Sequence, residues 1–249
     1  MLIEQTIGKL YQMKLPGMVE SLKEQQQNTD ALSLSFEERL GLMVDREWDN
    51  KESRRLTRRL QTAKLKQPAT VEDIDFTTPR GLDKGILLSL AECDFIKAHH
   101  NIIITGATGV GKTYVACALA NKACRMGYNA LYQRITRLLG AVKLARADGS
   151  YPALMRKIER TELLLLDDWG LSTLTADEAR DVFDILEDRN HKGSVIVISQ
   201  VPMADWYETI AAPTIADAIL DRLIHNAYKI ELRGDSMRKR LSPLTDADH

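Results

Sequence analysis

Hydrophobic residues in the first quarter of the chain recur at the spacing of an α-helix. In the first segment they lie three or four positions apart, at Ile3, Ile7, Leu10 and Tyr11. Pro16-Gly17 then predicts the end of a first helix, and a second helix is predicted from Met18 to Gln27. Ser35 and Glu38 form a capping-box signature, which predicts a third helix that continues to Lys66. The pattern therefore indicates a small all-helical N-terminal domain.

A different pattern begins near residue 81, where short apolar runs alternate with helical periodicity. The runs cover residues 101–105, 130–133, 162–167, 194–199 and 228–232. This order of strand, helix and strand is typical of a mostly parallel five-stranded sheet covered by helices on both faces, a three-layer α/β fold. Pro68 and Pro79 bracket a connecting stretch, so we predict one domain over residues 1–67 and a second over residues 68–249.

The composition narrows the class of protein. Of the 249 residues, 44% are hydrophobic, which suffices for a sizeable core. No apolar run approaches the roughly 20 residues that a membrane span needs, and the N-terminus lacks the layout of a secretion signal, so we expect a cytoplasmic protein without a membrane partner. The three cysteines have no C-x-x-C spacing, which argues against disulfides and zinc. Basic and acidic residues balance at 34 and 35, so only local charge is informative.

A complete P-loop pattern follows the first predicted strand. The residues Gly106, Ala107, Thr108, Gly109, Val110, Gly111, Lys112 and Thr113 satisfy G-x-x-x-x-G-K-[ST] at every fixed position. Glycines allow several backbone N–H groups to point at one phosphate, and the next helix adds its positive end. We therefore predict ATP binding by this loop together with Tyr114. Lys112 is expected on the β and γ phosphates and Thr113 on Mg²⁺.

Further candidates for the site follow later strands. Asp167 and Asp168 end a run of four leucines, where Asp167 is predicted to hold Mg²⁺ and Asp168 to polarise the attacking water. An acidic pair that only ends a strand is the alternative. Gln200, or less favourably Ser199, follows another buried strand and could face the γ phosphate, unless it is an ordinary strand terminus. Arg222 lies on an amphipathic helix and is a candidate arginine finger for a neighbouring subunit, although helical arginines are more often solvated or locally paired.

A basic stripe on the third helix is a candidate DNA-binding surface. Residues 51–66 contain seven basic residues and one acidic residue. Six of them share an arc of roughly 140° on a helical wheel: Lys51, Arg54, Arg55, Arg58, Arg59 and Lys66. Such a stripe would neutralise phosphates without reading sequence. The alternative is a solvated face that serves solubility.

These residues resemble the IstB-like ATP-binding proteins, transposition helper ATPases of the AAA+ class that are related to DnaC-type helicase loaders. The resemblance covers nearly the whole chain. It rests on Arg46-Glu47-Trp48, Phe76, and residues 79–83, 106–113, 163–171, 217–226 and 234–238.

The resemblance implies ATP-dependent self-assembly on duplex DNA and recruitment or stimulation of a partner transposase. It suggests Gln200 as a first sensor of the nucleotide, Arg222 as the finger and Arg238 as a second sensor. It also suggests a second DNA contact between Thr136 and Arg160, where six basic residues occur: Arg137, Lys143, Arg146, Arg156, Lys157 and Arg160. The alternative is an insertion that only packs against the rest of the domain. Two other functions stay open, a DnaC-type loader of a replicative helicase and a nucleotide-gated adaptor with negligible turnover.

Overall fold

Two compact units make up the chain, Met1–Arg58 and Arg59–His249. The computed structural model describes residues 3–237, without the side chains of Thr29 and Leu32. The units divide within the long helix Phe36–Ala63. The division at residues 67 and 68, which was drawn from linker composition, lies further along the chain and remains a prediction about domains.

The first unit is helical, as the hydrophobic spacing predicts. Its helices are α1 (Ile3–Gln12), α2 (Pro16–Gln27) and α3 (Phe36–Ala63), with a 3₁₀ turn over Thr29–Ser33. The capping box is present, since the N–H of Ser35 donates to Glu38 Oε2 at 2.8 Å and the N–H of Glu38 donates to Ser35 Oγ at 3.2 Å. α3 ends three residues before the predicted Lys66, because Lys64 adopts a left-handed backbone with φ of 50°.

A buried carboxylate joins α2 to α3 inside this unit. Glu47 on α3 is 5% exposed and accepts the N–H groups of Gly17 at 2.7 Å and Met18 at 3.2 Å. These amides lie in the first turn of α2, where no helical carbonyl can accept them. A Cβ at Gly17 would lie 2.7 Å from the Cα of Glu47, so glycine permits the close approach of the two helices. The motif Arg46-Glu47-Trp48 thus has a structural role at its central residue.

The second unit contains the predicted sheet. Its five strands are β1 (Asn101–Gly106), β2 (Ala130–Arg134), β3 (Leu163–Trp169), β4 (Ser194–Ser199) and β5 (Ala227–Leu232). They are all parallel and lie in the order β2-β3-β4-β1-β5. The predicted α/β class and strand number are confirmed. Among the described residues, no helix combines the length and the apolar character that crossing a membrane would take.

Helices cover both faces of the sheet. Alternate strand residues such as Ile103, Leu164 and Val197 belong to one buried cluster with residues of four helices: α7 (Ile135–Asp148), α8 (Tyr151–Glu159), α9 (Ala176–Arg189) and α10 (Pro213–Ile224). The intervening residues, Ile102 and Ile104 among them, are buried on the opposite face, where α6 (Lys112–Arg125) packs on the strands and α4 (Lys84–Ala91) packs on α6. The short α5 (Asp94–Lys97) leads into β1.

The parallel arrangement gathers the candidate site residues at one edge. β1 ends at Gly106, β2 at Arg134 and β3 just past Asp167 and Asp168, while Gln200 follows β4. Because the carboxyl ends of parallel strands share an edge, all these residues surround the start of α6. The register between β3 and β4 shifts after Leu166, at the two aspartates.

Candidate nucleotide-binding site

The loop between β1 and α6 has the backbone conformation of a phosphate-binding nest. Gly106, Gly109 and Gly111 all have positive φ, of 143°, 88° and 99°. A Cβ on Gly111 would lie 2.6 Å from Arg80 Nη1, which leaves no space for a side chain. The positive φ would also strain any residue other than glycine at this position. Arg80 also donates to the carbonyl of Val110 at 3.3 Å. The loop is therefore supported from outside by a buried guanidinium group.

Lys112 opens α6 and lies along the loop. Its Nζ donates to the carbonyls of Gly106 and Ala107, both at 2.7 Å, and the residue is buried. The ammonium group is thus held within the turn that a triphosphate would enter. Tyr114 lines the same cavity, and burial raises the pKa of its phenol, which stays protonated at neutral pH.

The loop forms one wall of a cavity of about 680 Å³. This volume lies in the usual range for small-molecule and cofactor sites, about 300–1,000 Å³. Nine lining residues were predicted from the sequence as part of the nucleotide site: Thr108, Gly109, Gly111, Lys112, Thr113, Tyr114, Asp167, Asp168 and Gln200. The structure thus brings together side chains from the loop after β1, from α6, from β3 and from the end of β4.

Asp167 is the centre of the hydrogen-bond network in this cavity. Its carboxylate is almost fully buried, and Oδ2 accepts hydrogen bonds from Thr113 Oγ1 at 3.1 Å, Tyr132 Oη at 2.6 Å and Lys66 Nζ at 3.2 Å. Oδ1 accepts the N–H of Asp168 at 2.9 Å. Burial first, and then the bond to Asp167, raise the pKa of Tyr132 above the tyrosine value, so the phenol acts as a donor.

The donor set fits a bound Mg²⁺ ion. The Thr113 hydroxyl and the Asp167 carboxylate offer two hard oxygen atoms that lie 3.1 Å apart at the loop. No cluster of three or more His, Cys, Asp or Glu side chains suited to a metal occurs among the described residues. In nucleotide sites Mg²⁺ takes one or two protein ligands and completes its shell with phosphates and water.

Asp168 is held by an arginine that the sequence analysis did not single out. Arg134, at the end of β2, places its Nε 3.4 Å from Asp168 Oδ2. A hydrogen bond with Tyr132 and then the charge of Asp168 raise the pKa of Arg134. Asp168 has φ of 63°, a left-handed conformation that is uncommon outside glycine and that directs its side chain toward the cavity.

Gln200 reaches the loop directly. Its Oε1 accepts a hydrogen bond from the Thr108 hydroxyl. The Ser199 hydroxyl instead donates to the carbonyl of Trp169 at 2.7 Å and thereby ties β4 to the end of β3. Of the two residues that the sequence offered at this strand end, Gln200 is the one in contact with the P-loop.

Comparison with known proteins supplies the family. The model of the IstB-like ATP binding proteins matches residues 8–244. The chain belongs to this family. A relative from Sinorhizobium fredii, named as an insertion sequence ATP-binding protein, is 46% identical over 239 residues, 96% of this chain and 98% of its own length. The IS21 insertion sequence ATP-binding protein of Pseudomonas aeruginosa is 32% identical over 236 residues, 95% of this chain and 88% of the relative.

Solved structures agree on the fold. DnaI superposes with a TM-score of 0.57 at 22% identity, covering 66% of this chain and 91% of DnaI. DnaA from Aquifex aeolicus bound to AMPPCP gives a TM-score of 0.58 at 20% identity, covering 71% and 54% of the two chains. At these identities the likeness shows a shared fold. The family resemblance inferred from the sequence and the predicted α/β fold class are both confirmed.

One residue that the IstB-like resemblance suggests, Arg222, lies away from the described cavity. Arg222 is on α10, whose last turn meets the amino end of β1: Asn101 Nδ2 donates to the carbonyl of Arg222 at 2.9 Å. This is the sheet edge opposite the P-loop, so Arg222 cannot act on the nucleotide of its own chain. Its guanidinium pairs with Glu187 on α9 and lies 4.6 Å from the ring centre of Phe183. Arg238 lies outside the described residues.

One predicted DNA contact is corrected. Lys66 was placed on the basic stripe by assuming that α3 continues through it. The helix ends at Ala63, and Lys66 instead directs its ammonium group at Asp167 in the nucleotide cavity. Its helical-wheel position therefore does not apply.

The other residues of the stripe do lie on α3. Arg54 and Arg58 are exposed and have no ion pair within the described part of the chain. Lys51 pairs with Glu47 at 3.5 Å, Arg55 pairs with Glu52 at 2.5 Å, and Arg59 is half-buried. Arg54 and Arg58 are thus the members of the stripe with the least local competition for phosphate.

The basic segment after β2 forms two helices, α7 and α8, joined at Gly149. Arg146 is engaged locally, at 2.5 Å from Asp181 and over the ring of Tyr151. Arg156, Lys157 and Arg160 line a separate groove of about 390 Å³ beside the edge strand β2. Arg137 and Lys143 lie on α7.

Three basic residues that line the nucleotide cavity were not predicted there: Lys66, Arg80 and Arg134. None belongs to the P-loop or to the acidic strand end. Arg80 stands in a block that carried the family resemblance, and Arg134 ends a predicted strand at the functional edge. The positions of Arg80 and Arg134 in the sequence could therefore have indicated a role at the site. No sequence feature near Lys66 indicates that it contacts Asp167.

Proposed function

We propose that the chain is an Mg²⁺-dependent ATPase that assembles with copies of itself on duplex DNA and recruits or stimulates the transposase of the same insertion sequence. The observation that carries the proposal is the P-loop beside the Thr113–Asp167 pair, in a chain whose relatives are named as insertion sequence ATP-binding proteins. ATP and Mg²⁺ are the proposed cofactors. Duplex DNA, a second copy of the chain and a transposase are the proposed partners.

Binding of the triphosphate begins with the loop amides and Lys112. The Lys112 ammonium would exchange the carbonyls of Gly106 and Ala107 for the β and γ phosphates, a change of charge-assisted partner over a short distance. Thr113 and Asp167 would hold Mg²⁺, which neutralises charge on the phosphates when bound. Tyr132 keeps the Asp167 carboxylate fixed from the side.

Hydrolysis needs a base for the attacking water, and Asp168 is our candidate. Its carboxylate must leave Arg134, or share it, before it can accept a proton from water. Gln200 is near enough to the loop to orient that water or sense the γ phosphate. Loss of Asp168 should therefore lower turnover while nucleotide affinity is retained.

The ion pair of Asp168 favours a second candidate function, a nucleotide-gated adaptor. If Arg134 keeps Asp168 occupied with nucleotide bound, the chain would bind ATP and its partners with negligible turnover. A DnaC-type helicase loader is a further alternative, which predicts binding to a replicative helicase and a preference for single-stranded DNA.

A single experiment separates these functions. ATP hydrolysis and sedimentation are measured for the full chain with and without duplex DNA, and again with single-stranded DNA of equal length. The ATPase proposal expects faster turnover and larger species with duplex. Assembly without turnover would favour the adaptor, and a response to single strands alone would favour the loader.

Lys112→Ala should abolish nucleotide binding, and unchanged affinity would refute the P-loop assignment.

Arg222 is proposed to act on the nucleotide of a neighbouring subunit. Arg222→Ala should retain ATP binding but lose turnover and assembly. Because this variant also breaks the pair with Glu187, Glu187→Ala is the matched control. The control loses the same ion pair and keeps the guanidinium, so it should hydrolyse ATP. Equal defects in the two variants would reduce Arg222 to a structural residue.

The basic stripe is proposed to contact DNA phosphates. Neutralising Arg54, Arg55, Arg58 and Arg59 should weaken binding to any duplex about equally. The double variant Arg54→Gln/Arg58→Gln should flatten the slope of log affinity against log salt by about two, since each lost phosphate contact removes roughly 0.9. Arg180→Gln/Lys192→Gln, with the same charge change on and after α9, is the control. Unchanged affinity in the stripe variant would indicate a solvated face.

A further inference from the structure

Lys66 enters the nucleotide cavity from the segment that follows α3. Its Nζ lies 3.2 Å from Asp167 Oδ2, and 26% of its side chain is exposed, against 3% for Asp167. It lines the same cavity as Lys112 and Thr113. The cavity thus contains a second lysine that is separated from Asp167 by 101 positions in the sequence.

The ammonium group of Lys66 uses the oxygen atom that a metal ion would need. Oδ2 of Asp167 already accepts hydrogen bonds from Thr113 and Tyr132, and Oδ1 is engaged by a backbone N–H. A carboxylate oxygen has about two lone pairs, so three donors saturate Oδ2. A divalent cation that joins Thr113 and Asp167 would meet the positive charge of Lys66 at the same place.

We propose that Lys66 is a positioning residue of the nucleotide site that competes with the divalent cation for Asp167. Without metal, its ammonium group holds the buried carboxylate in a defined position. With metal and nucleotide, the ammonium group is displaced from Oδ2. The inference rests on the proposed nucleotide function. It adds that Lys66, a residue outside the P-loop, sets the Mg²⁺ concentration that nucleotide binding needs.

The physical basis is electrostatic. Two cations cannot occupy neighbouring positions on one carboxylate in a partly buried pocket without strong repulsion, because water screens them poorly there. Breaking the Lys66–Asp167 contact is therefore part of the free energy of metal binding. Removing the Lys66 charge should make the metal bind at lower concentration.

The test measures binding of a fluorescent ATP analogue to the full chain over a series of Mg²⁺ concentrations. Lys66→Met keeps most of the length of the unbranched side chain and removes its charge. We expect the Mg²⁺ concentration for half-maximal binding to fall about tenfold, as the loss of a charge-assisted hydrogen bond of ~1.4 kcal/mol predicts. Lys66→Arg, which can keep the ion pair, should stay near the wild-type value. Mn²⁺ binding followed by electron paramagnetic resonance gives a second readout that does not depend on hydrolysis.

Lys64→Met is the matched control. Lys64 is exposed, lies two residues earlier and has no ion pair within residues 3–237, so the variant makes the same charge change outside the cavity. Its Mg²⁺ dependence should equal that of the wild type. If Lys66→Met folds poorly, as judged by thermal unfolding, Lys66→Gln supplies a polar replacement without charge and is held to the same expectation.

An unchanged or higher Mg²⁺ requirement in Lys66→Met and Lys66→Gln would overturn the proposal, the higher value indicating that Lys66 helps to hold the phosphates. A similar fall in Lys64→Met would reduce the effect to net charge and would also overturn it. Failure of the wild-type chain to bind the nucleotide at any Mg²⁺ concentration would instead refute the proposed function. The two failures are therefore distinguishable.

Discussion

Removing one buried hydroxyl group that contacts Asp167 tests the role of this carboxylate in stabilising the second unit. Tyr132→Phe deletes the phenol oxygen that donates to Asp167 Oδ2 at 2.6 Å. The ring and its packing are retained, and only one oxygen atom is lost. The change therefore isolates a buried hydrogen bond to a charged acceptor.

The magnitude follows from the remaining partners of the carboxylate. A hydrogen bond to a charged group contributes about 1.5–3 kcal/mol to stability. Thr113 and Lys66 still donate to the same oxygen in the variant, so we expect the low end, about 1.5 kcal/mol. With a urea m value of about 2 kcal/mol/M, the unfolding midpoint should fall by roughly 0.7 M.

Urea unfolding followed by tryptophan fluorescence is the assay. Trp48→Phe serves as the background, because Trp48 is 65% exposed and belongs to the first unit. The remaining Trp169 and Trp206 are buried in the second unit and report on it alone. A change in the free energy of unfolding below about 0.3 kcal/mol at constant m would refute the energetic role of the bond.

The stability difference between wild type and Tyr132→Phe should also depend on pH. The folded protein raises the pKa of Tyr132 above the usual value of 10.0, by burial and then by the bond to Asp167. The unfolded chain therefore loses this proton before the folded protein does, and the stabilisation is present below pH 10 and declines as the pH rises above it. The difference between wild type and Tyr132→Phe should shrink above pH 10. A difference that stays constant there would contradict the assigned protonation.

Three further predictions concern single positions. Gly111→Ala should abolish nucleotide binding, because its Cβ would lie 2.6 Å from Arg80 Nη1 at a φ of 99°, whereas Gly140→Ala, in open space on α7, should bind normally and be slightly more stable. Burial raises the pKa of the Cys93 thiol to about 11, so a thiol reagent at pH 8 should modify none of the three buried cysteines in the native protein and all three in urea. Asn101→Ala should cost about 1–3 kcal/mol in urea unfolding, since its buried amide bridges β4 and α10; a cost near zero would contradict this.

Local signals in the sequence were enough to locate the strands and the P-loop. The five predicted strands appear as β1 to β5 within one or two residues. For β1, β3 and β4 the reason is that a strand buried on both faces reads as a continuous apolar run. The P-loop pattern from Gly106 to Thr113 can be recognised locally, because it consists of glycines that permit positive φ and one lysine that supplies an ammonium group. The structure has positive φ at the three glycines of this loop. Placing Asp167 and Asp168 beside the P-loop needed one further rule, which is that the carboxyl ends of parallel strands lie at the same edge of the sheet.

Partners that are distant in sequence could be assigned only in three dimensions. The position of Lys66 depends on where α3 ends, which the left-handed Lys64 decides, and a helical wheel drawn through it placed the lysine wrongly. Arg134 meets Asp168 only because β2 pairs with β3 in one register. The amino-acid sequence thus determined the phosphate loop and the strand–helix alternation, whose causes lie within a few residues. The tertiary structure decided which charges surround Asp167 and Asp168, because electrostatic contacts between separate elements leave no periodic trace in the chain.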